Sequence, residues 1–118
     1  MTDHNLTVTH DDHPSGATVL AVAGELDHHT ARTLTFALDE APFTAGARLV
    51  IDLSALTYCD STGITVFVSA YQRAQAAGCS LTLAGVRHDL MRVFRIVGLD
   101  QLFTFQPTIE DAVGTTQP

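Results

Sequence analysis

The sequence contains no lysine, and arginine supplies all six of its basic residues. This absence excludes a P-loop lysine, a Schiff-base lysine and the lysine that receiver domains place beside their phosphorylated aspartate. Thirteen acidic residues bring the net charge to −7, so no broad basic surface is available to displace counterions from nucleic acid phosphates. We therefore expect a protein partner and no nucleic acid partner.

Long apolar runs are also missing from the chain. No stretch approaches the roughly 20 apolar residues of a membrane span, and the first residues do not have the basic and then apolar order of a signal peptide. We therefore predict a cytoplasmic protein with no membrane association. Because no heptad seam or long apolar edge is evident, we expect a monomer.

Cysteine is scarce, and the two cysteines, Cys59 and Cys79, each lie beside a predicted strand. This placement predicts reduced, partly buried thiols and no disulfide or redox pair. There is no Gly-rich phosphate loop, which weakens a nucleotide-binding interpretation. Without a nucleophile–base pair or a convincing set of metal ligands, we predict no cofactor, no metal site and no enzymatic activity.

The 118 residues suffice for one domain with its own core, which we place at 1–113, followed by a loose tail at 114–118. Two alternating segments, near 6–9 and 18–22, predict an N-terminal hairpin. Apolar spacing then predicts a helix from Thr30, capped by Asp27 or Thr30 and ended by Pro42. A buried strand is predicted at about 48–53 and an alternating strand at 80–84.

The remaining predicted elements continue this alternation. Leu90, Val93, Phe94 and Val97 form a helical stripe ended by Gly98. A short element near 102–105 and a last helix at 108–113 follow. Strands that alternate with helices imply a largely parallel sheet, which the N-terminal hairpin makes mixed.

Residues 60–63, Asp-Ser-Thr-Gly, follow the hydrophobic strand signal at 48–53 and precede a proline-free segment that ends at Gly78. Asp or Ser at such a junction accepts the unpaired N–H groups of a helix start, where the helix dipole also favours negative charge. The hydroxyl of Ser61 then lies at the N-terminus of a helix, where a phosphate group would be stabilised. Local chemistry alone leaves open an ordinary helix cap.

Residues 64–68 are rich in β-branched side chains and have strand propensity, but the cap and the length to Gly78 favour a helix. Its core stripe is predicted to contain Ile64, Phe67, Val68, Tyr71 and Ala74. A second stripe is predicted to face away from that core and to suit a partner; it contains Thr62, Val66, Ala70 and Arg73.

The segment 60–64 resembles the Asp-Ser-(Ser/Thr)-Gly-aliphatic signature of STAS domains, the anti-sigma factor antagonist family. Residues 24–31, Gly-Glu-Leu-Asp-His-His-Thr-Ala, resemble the segment before the first helix of bacterial anti-anti-sigma factors. The resemblance extends to about residue 105. It implies an α/β fold with a mixed, largely parallel sheet of four to five strands and helices packed mainly on one face.

The resemblance also implies a function. In that family an anti-sigma factor, itself a GHKL-type serine kinase, is bound by the unphosphorylated antagonist and phosphorylates the serine at the position of Ser61. A serine/threonine phosphatase of the metal-dependent class restores binding. The two matching segments imply that the partner-binding residues include Asp27, His28, His29, Asp60, Ser61, Thr62 and Gly63. The second stripe of the predicted helix adds Val66 as a hypothesis.

Several roles within this motif remain open from the sequence. Asp60 can cap the helix, orient the Ser61 hydroxyl toward a kinase, or do both. Thr62 is a possible second acceptor whose alternative role is helix stabilisation. Gly63 allows a close backbone approach, and we expect a side chain there to cost binding more than folding.

Two alternative functions differ in class. The chain can serve as a STAS scaffold for another signalling partner, without control of a sigma factor. The run Asp27, His28, His29 also echoes the DHH metal-dependent phosphoesterases, although the further motifs of those longer enzymes are missing. An N-terminal group could scavenge a transition metal or form a solvated acidic turn; it contains His4, His10, Asp11, Asp12 and His13.

Overall fold

The computed structural model describes residues 5–114, which form one five-stranded sheet and four helices. The elements follow in the order β1 (Leu6–Asp12), β2 (Thr18–Leu26), α1 (Ala31–Asp39), β3 (Arg48–Cys59), α2 (Ser61–Ala77), β4 (Ser80–Ala84), α3 (His88–Ile96), β5 (Thr104–Gln106) and α4 (Ile109–Gly114). The tail predicted at 114–118 lies outside the described residues, except for Gly114, which ends α4.

The sheet has the strand order β1-β2-β3-β4-β5. β1 and β2 form the predicted antiparallel hairpin, and β2, β3, β4 and β5 run parallel to one another. One helix connects each of these strands to its parallel neighbour, because parallel strands need a crossover connection. The predicted α/β fold with a mixed, largely parallel sheet is confirmed.

Alternating residues of the strands supply two cores, one on each face of the sheet. The larger core lies under α1, α2 and α3, and includes Leu34, Phe67 and Phe94 together with Leu20 and Ile51. The smaller core lies under α4 on the opposite face. It contains Ala17, Val19, Val50, Ala84, Ala112 and Val113. Helices therefore pack mainly on one face, as expected.

β3 is longer than the sequence predicts. It continues six residues past Leu53 to Cys59, pairing there with β2 alone, and two register shifts interrupt the pairing. This extension carries the chain beyond the last residue pair of β3 with β4 and delivers Asp60 directly to the start of α2.

α2 is helical across its β-branched segment, as predicted, and ends at Gly78 in the left-handed conformation, φ 73°. Phe67, Ala70 and Ala74 are buried along its inner face. Burial in the core, together with a capped start and a glycine end, therefore outweighs the strand propensity of residues 64–68. Among residues 5–114, no helix is both long enough and apolar enough to cross a membrane.

Candidate functional site

Asp60 is the N-cap of α2 and has extended backbone angles, φ −95° and ψ −173°. Its carboxylate Oδ1 accepts the backbone N–H of Gly63 at 3.1 Å. Its own backbone N–H donates to the carbonyl oxygen of Leu26 at 3.0 Å, which ties the end of β3 to the end of β2. One side chain thus satisfies a helix-start N–H group while the backbone fixes the position of the turn.

Ser61 is the first residue of α2, and its side chain is exposed. Thr62 follows at an intermediate exposure, and Thr65 is exposed one turn later, where its hydroxyl donates to the carbonyl of Ser61 at 3.0 Å. The first turn of α2 has no acidic residue. The Ser61 hydroxyl is therefore accessible at the positive end of a 17-residue helix.

Gly63 is buried under this first turn, against the ends of β2 and β3. A Cβ atom at this position would lie 2.7 Å from the side chain of Leu26 and 2.7 Å from the sulfur of Cys59. Leu26 is fully buried and cannot withdraw into solvent. A side chain at Gly63 therefore carries a folding cost of its own, because the glycine packs within the domain, and the comparison with the cost in binding stays a prediction.

The loop between β2 and α1 lies beside this turn, through the Leu26–Asp60 hydrogen bond. Asp27 is 4% exposed, and its Oδ1 accepts the backbone N–H groups of His29 and Thr30 at 2.9 and 3.0 Å. Thr30 holds the cap position of α1, and its hydroxyl bonds the carbonyl of Glu25 at 2.7 Å. Both residues that the sequence offers as caps therefore order this loop.

His28 and His29 are exposed, and their rings contact each other with centroids 3.9 Å apart. Since the buried Asp27 faces the loop backbone, these two side chains form the accessible part of the loop. The structure thus brings two predicted segments, 27–29 and 60–63, to the same edge of the sheet, where β2 and β3 end.

The second stripe predicted on α2 is only partly correct. Ala70 is fully buried in the larger core, so this stripe does not face away from it. Val66 is half-buried and packs against the same core, while Thr62 and Arg73 are also half-buried. Arg73 pairs with Asp39 at 2.9 Å and covers the ring of Phe43. The part of α2 that is exposed near Ser61 is consequently smaller than the second stripe predicts.

Cys59 precedes the turn. Burial, and to a smaller extent the nearby charge of Asp60, raises the pKa of its thiol to about 12. Burial also raises the pKa of Cys79. Both cysteines are free thiols. Because the thiolate is the reactive form, neither environment activates a cysteine for chemistry.

Metal-binding geometry is not found in the part of the chain that the structure describes: no three His, Cys, Asp or Glu side chains gather around a common point. His4 lies outside the described residues. His10 bonds Asp12 at 3.2 Å, and His13 bonds Ser15 at 2.9 Å and Glu110 at 3.4 Å. These are local contacts of the hairpin and its neighbour α4.

The sequence did not single out an apolar surface that borders the site. Tyr58 is 53% exposed at the end of β3, and Val93 lines the same 130 Å³ cavity beside it. Val97, predicted to share one helical stripe with Leu90 and Phe94, is 53% exposed, whereas those two residues are buried. Helical spacing identifies a face but does not give its width, which depends on the neighbouring strands.

The fold corresponds to a known domain. The family model described as "Mlab, STAS domain" matches residues 9–106. The chain therefore belongs to the STAS domain family, as its two sequence motifs predicted.

Relatives in this family have a common description. The chain is 40% identical over 81 residues to an anti-sigma-B factor antagonist of Listeria monocytogenes, covering 69% of this chain and 71% of that protein. It is 32% identical over 111 residues to the anti-sigma-F factor antagonist RsfB of Mycobacterium tuberculosis, covering 92% and 88%.

Solved structures agree with the fold. An anti-sigma factor antagonist from Mycobacterium paratuberculosis is similar with a TM-score of 0.84 and 27% identity, over 99% of this chain and 98% of the other. The Bacillus cell fate determinant SpoIIAA in its phosphorylated form is similar with a TM-score of 0.72 and 20% identity, over 94% and 100%. The second likeness concerns the fold alone.

Proposed function

We propose that this protein is an anti-anti-sigma factor, which binds an anti-sigma factor kinase when Ser61 is unphosphorylated and releases it when Ser61 is phosphorylated. The observation that carries the proposal is the exposed Ser61 hydroxyl at the first position of α2. Relatives at 40% and 32% identity are named anti-sigma factor antagonists, which supports the same activity here.

A phosphate on Ser61 adds a charge of about −1.5 to −2 and three acceptor oxygens. Asp60 caps the same turn, so a docked partner then faces two adjacent negative groups. Desolvation and like-charge repulsion in an interface cost several kcal/mol, and each 1.4 kcal/mol weakens binding about tenfold. A single modification can therefore reverse the choice of partner without rebuilding the fold.

The proposed partner surface combines both segments at this edge of the sheet. His28, His29, Ser61 and Thr62 supply accessible side chains, while Asp27 and Gly63 act by shaping the two backbones. Asp60 supports the turn and lies beside the acceptor hydroxyl. Val66 contributes only the exposed part of its side chain, so Val66→Asp should lower stability as well as partner binding.

The proposal includes a GHKL-type anti-sigma kinase and a serine/threonine phosphatase as partners, and assigns no catalytic step to the chain itself. It requires the chain and its kinase to meet in the cytoplasm. One STAS domain at 1–113 is sufficient for this activity, because both converging segments lie within it.

Intact-mass analysis after incubation with ATP and candidate anti-sigma kinases tests the proposal. We expect one phosphate, about 80 Da, on the wild type and none on Ser61→Ala. Thr65→Ala is the matched control, because this exposed hydroxyl lies one turn away on the same helix, and it should still be modified.

The binding half of the switch is measured by titrating the kinase with unmodified and phosphorylated protein. We expect the affinity to fall at least about tenfold on phosphorylation. Modification that persists in Ser61→Ala but disappears in Thr62→Ala would transfer the role to Thr62. No modification by any candidate kinase would favour the STAS scaffold function instead.

A further inference from the structure

The connections that follow β4 and β5 leave the sheet on opposite faces. The chain after β4 turns toward α3, which covers the larger core, whereas the chain after β5 turns toward α4 on the other face. In open parallel sheets, neighbouring connections that diverge in this way leave a crevice at the carboxyl ends of the strands, where ligands bind.

Two cavities occupy this position. One has a volume of about 420 Å³ and is lined by Gly85, Val86, Met91, Phe105, Gln106 and Pro107. The other has a volume of about 340 Å³, shares Gly85 and Pro107, and continues over Asp52, Ser54, Thr108 and Glu110. Each lies in the size range of small-molecule sites, about 300 to 1,000 Å³.

Gly85 lines both cavities. Its backbone N–H donates to the carbonyl of Gln106 at 2.9 Å, so it continues the β4–β5 pairing. Its φ of 68° is left-handed, and a Cβ atom there would lie 2.9 Å from the Cβ of Ser54 and 3.3 Å from Oδ1 of Asp52. A side chain at this position would occupy space at the lining that the two cavities share.

The lining indicates the chemistry of an occupant. The larger cavity is mainly apolar, through Val86, Met91 and Phe105. The smaller cavity carries the carboxylates of Asp52 and Glu110, and neither cavity is lined by a basic side chain.

Asp52 is the more informative of the two carboxylates. Its Oδ1 accepts the N–H of Ser54 at 3.1 Å, and within residues 5–114 it has no ion-pair partner. Glu110 contacts His13 at 3.4 Å at the outer rim. A ligand that spans both cavities would therefore place an apolar body on the α3 side and a positive charge near Asp52.

We propose that this crevice binds a small amphiphilic cation, an amine attached to a flat apolar group. The site is formed by the β4–α3 and β5–α4 connections, whereas Ser61 follows the extension of β3 beyond its last residue pair with β4. It requires no phosphate loop and no metal, and it is independent of the proposed sigma-factor switch.

Amide spectra of ¹⁵N-labelled protein, titrated with tryptamine and with phenethylamine up to millimolar concentration, test the proposal. We expect saturable shifts at Gly85, Val86, Gln106 and Thr108. The anionic analogue indole-3-propionate should produce none of these shifts, because its charge repels Asp52.

Asp52→Asn keeps an oxygen that can accept the Ser54 N–H, and it replaces the charged carboxylate by a neutral amide of similar size. It should weaken tryptamine binding roughly fivefold or more, whereas Asp11→Asn, an exposed site on β1, should leave the affinity unchanged. Glu110→Gln is the second variant if Asp52→Asn fails to fold. The proposal would be overturned by the absence of saturable shifts with both amines, by shifts elsewhere, or by a tryptamine affinity of Asp52→Asn equal to that of Asp11→Asn and the wild type.

Discussion

At the scale of single residues, Gly63 links the first turn of α2 to the core. Replacement of a helical glycine by alanine normally stabilises by about 1 kcal/mol. Here the new methyl group meets Leu26 and Cys59 at 2.7 Å. We therefore expect Gly63→Ala to lower the unfolding free energy by about 1 to 3 kcal/mol, as overpacking does.

Urea unfolding measures this effect, with Ser69→Ala as control, because Ser69 is exposed on the same helix. The control should change stability by less than about 0.5 kcal/mol. If Gly63→Ala were as stable as the wild type but failed to bind the kinase, the requirement for glycine would come from the partner and not from the core.

Cys59 gives a second prediction for a single residue. Burial and the nearby Asp60 raise its pKa from 9.0 to about 12, so the thiolate is a far smaller fraction at pH 8 than in an unfolded chain. We expect iodoacetamide to label native Cys59 a hundredfold to roughly a thousandfold more slowly than the urea-unfolded protein.

Intact-mass time courses on a Cys79→Ser background isolate Cys59. The slow rate should rise with pH within the range where the protein stays folded, because the thiolate fraction then increases. Rapid labelling of the native protein at pH 8 would contradict the packing of Cys59 beneath the first turn of α2.

At the scale of secondary structure elements, α3 separates buried from exposed apolar residues. Phe94 is fully buried, with its ring centroid 5.5 Å from Phe103 and 5.4 Å from Phe105. Val97 is 53% exposed and Ile96 is 76% exposed. We expect Phe94→Ala to cost about 3 to 5 kcal/mol and Val97→Ala less than about 0.5 kcal/mol, measured by chemical unfolding. Equal losses would mean that Phe94 and Val97 are buried to a similar extent, and that α3 is rotated about its axis relative to the structure.

The start of α2 is predictable from sequence because its signals are local. Asp60 supplies the N-terminal cap. A helix-length segment follows it, and Gly78 marks the end of the helix. The strand propensity of residues 64–68 does not decide the outcome, since burial of Phe67, Ala70 and Ala74 favours the helix.

Features that depend on distant neighbours are less predictable. The extension of β3 beyond Leu53 depends on pairing with β2 across two register shifts, and its burial pattern is irregular. The burial of Ala70 and the packing requirement at Gly63 depend on where β2 and β3 end. The crevice at Gly85 arises because α3 and α4 lie on opposite faces, which the spacing of residues along one element does not reveal.

At the scale of the whole molecule, the two candidate surfaces occupy different parts of the same sheet. The turn at Ser61 follows the long extension of β3, whereas the crevice follows the shorter strands β4 and β5. A ligand in the crevice and a kinase at Ser61 would therefore contact different connections of one rigid sheet. The proposed phosphorylation of Ser61 would alter only the first surface directly.

Phosphorylation of Ser61 should leave the fold nearly unchanged. The modification takes the net charge from −7 to about −9. The start of α2 stabilises such a charge by about 0.3 to 1 kcal/mol, and repulsion from Asp60 and the acidic surface opposes it by a similar amount. We expect the unfolding free energy to change by less than about 1 kcal/mol.

Thermal melts of unmodified and phosphorylated protein at low and high salt measure this balance. Any difference at low salt should shrink at high salt, because exposed charges are screened. Ser61→Asp and Ser69→Asp form a matched pair on α2, and Ser61→Asp should be the more stable variant, since only position 61 lies in the first turn. A large loss of melting temperature on phosphorylation would mean that the modification acts by unfolding the domain, and the proposal of a local charge switch at an intact surface would then be wrong.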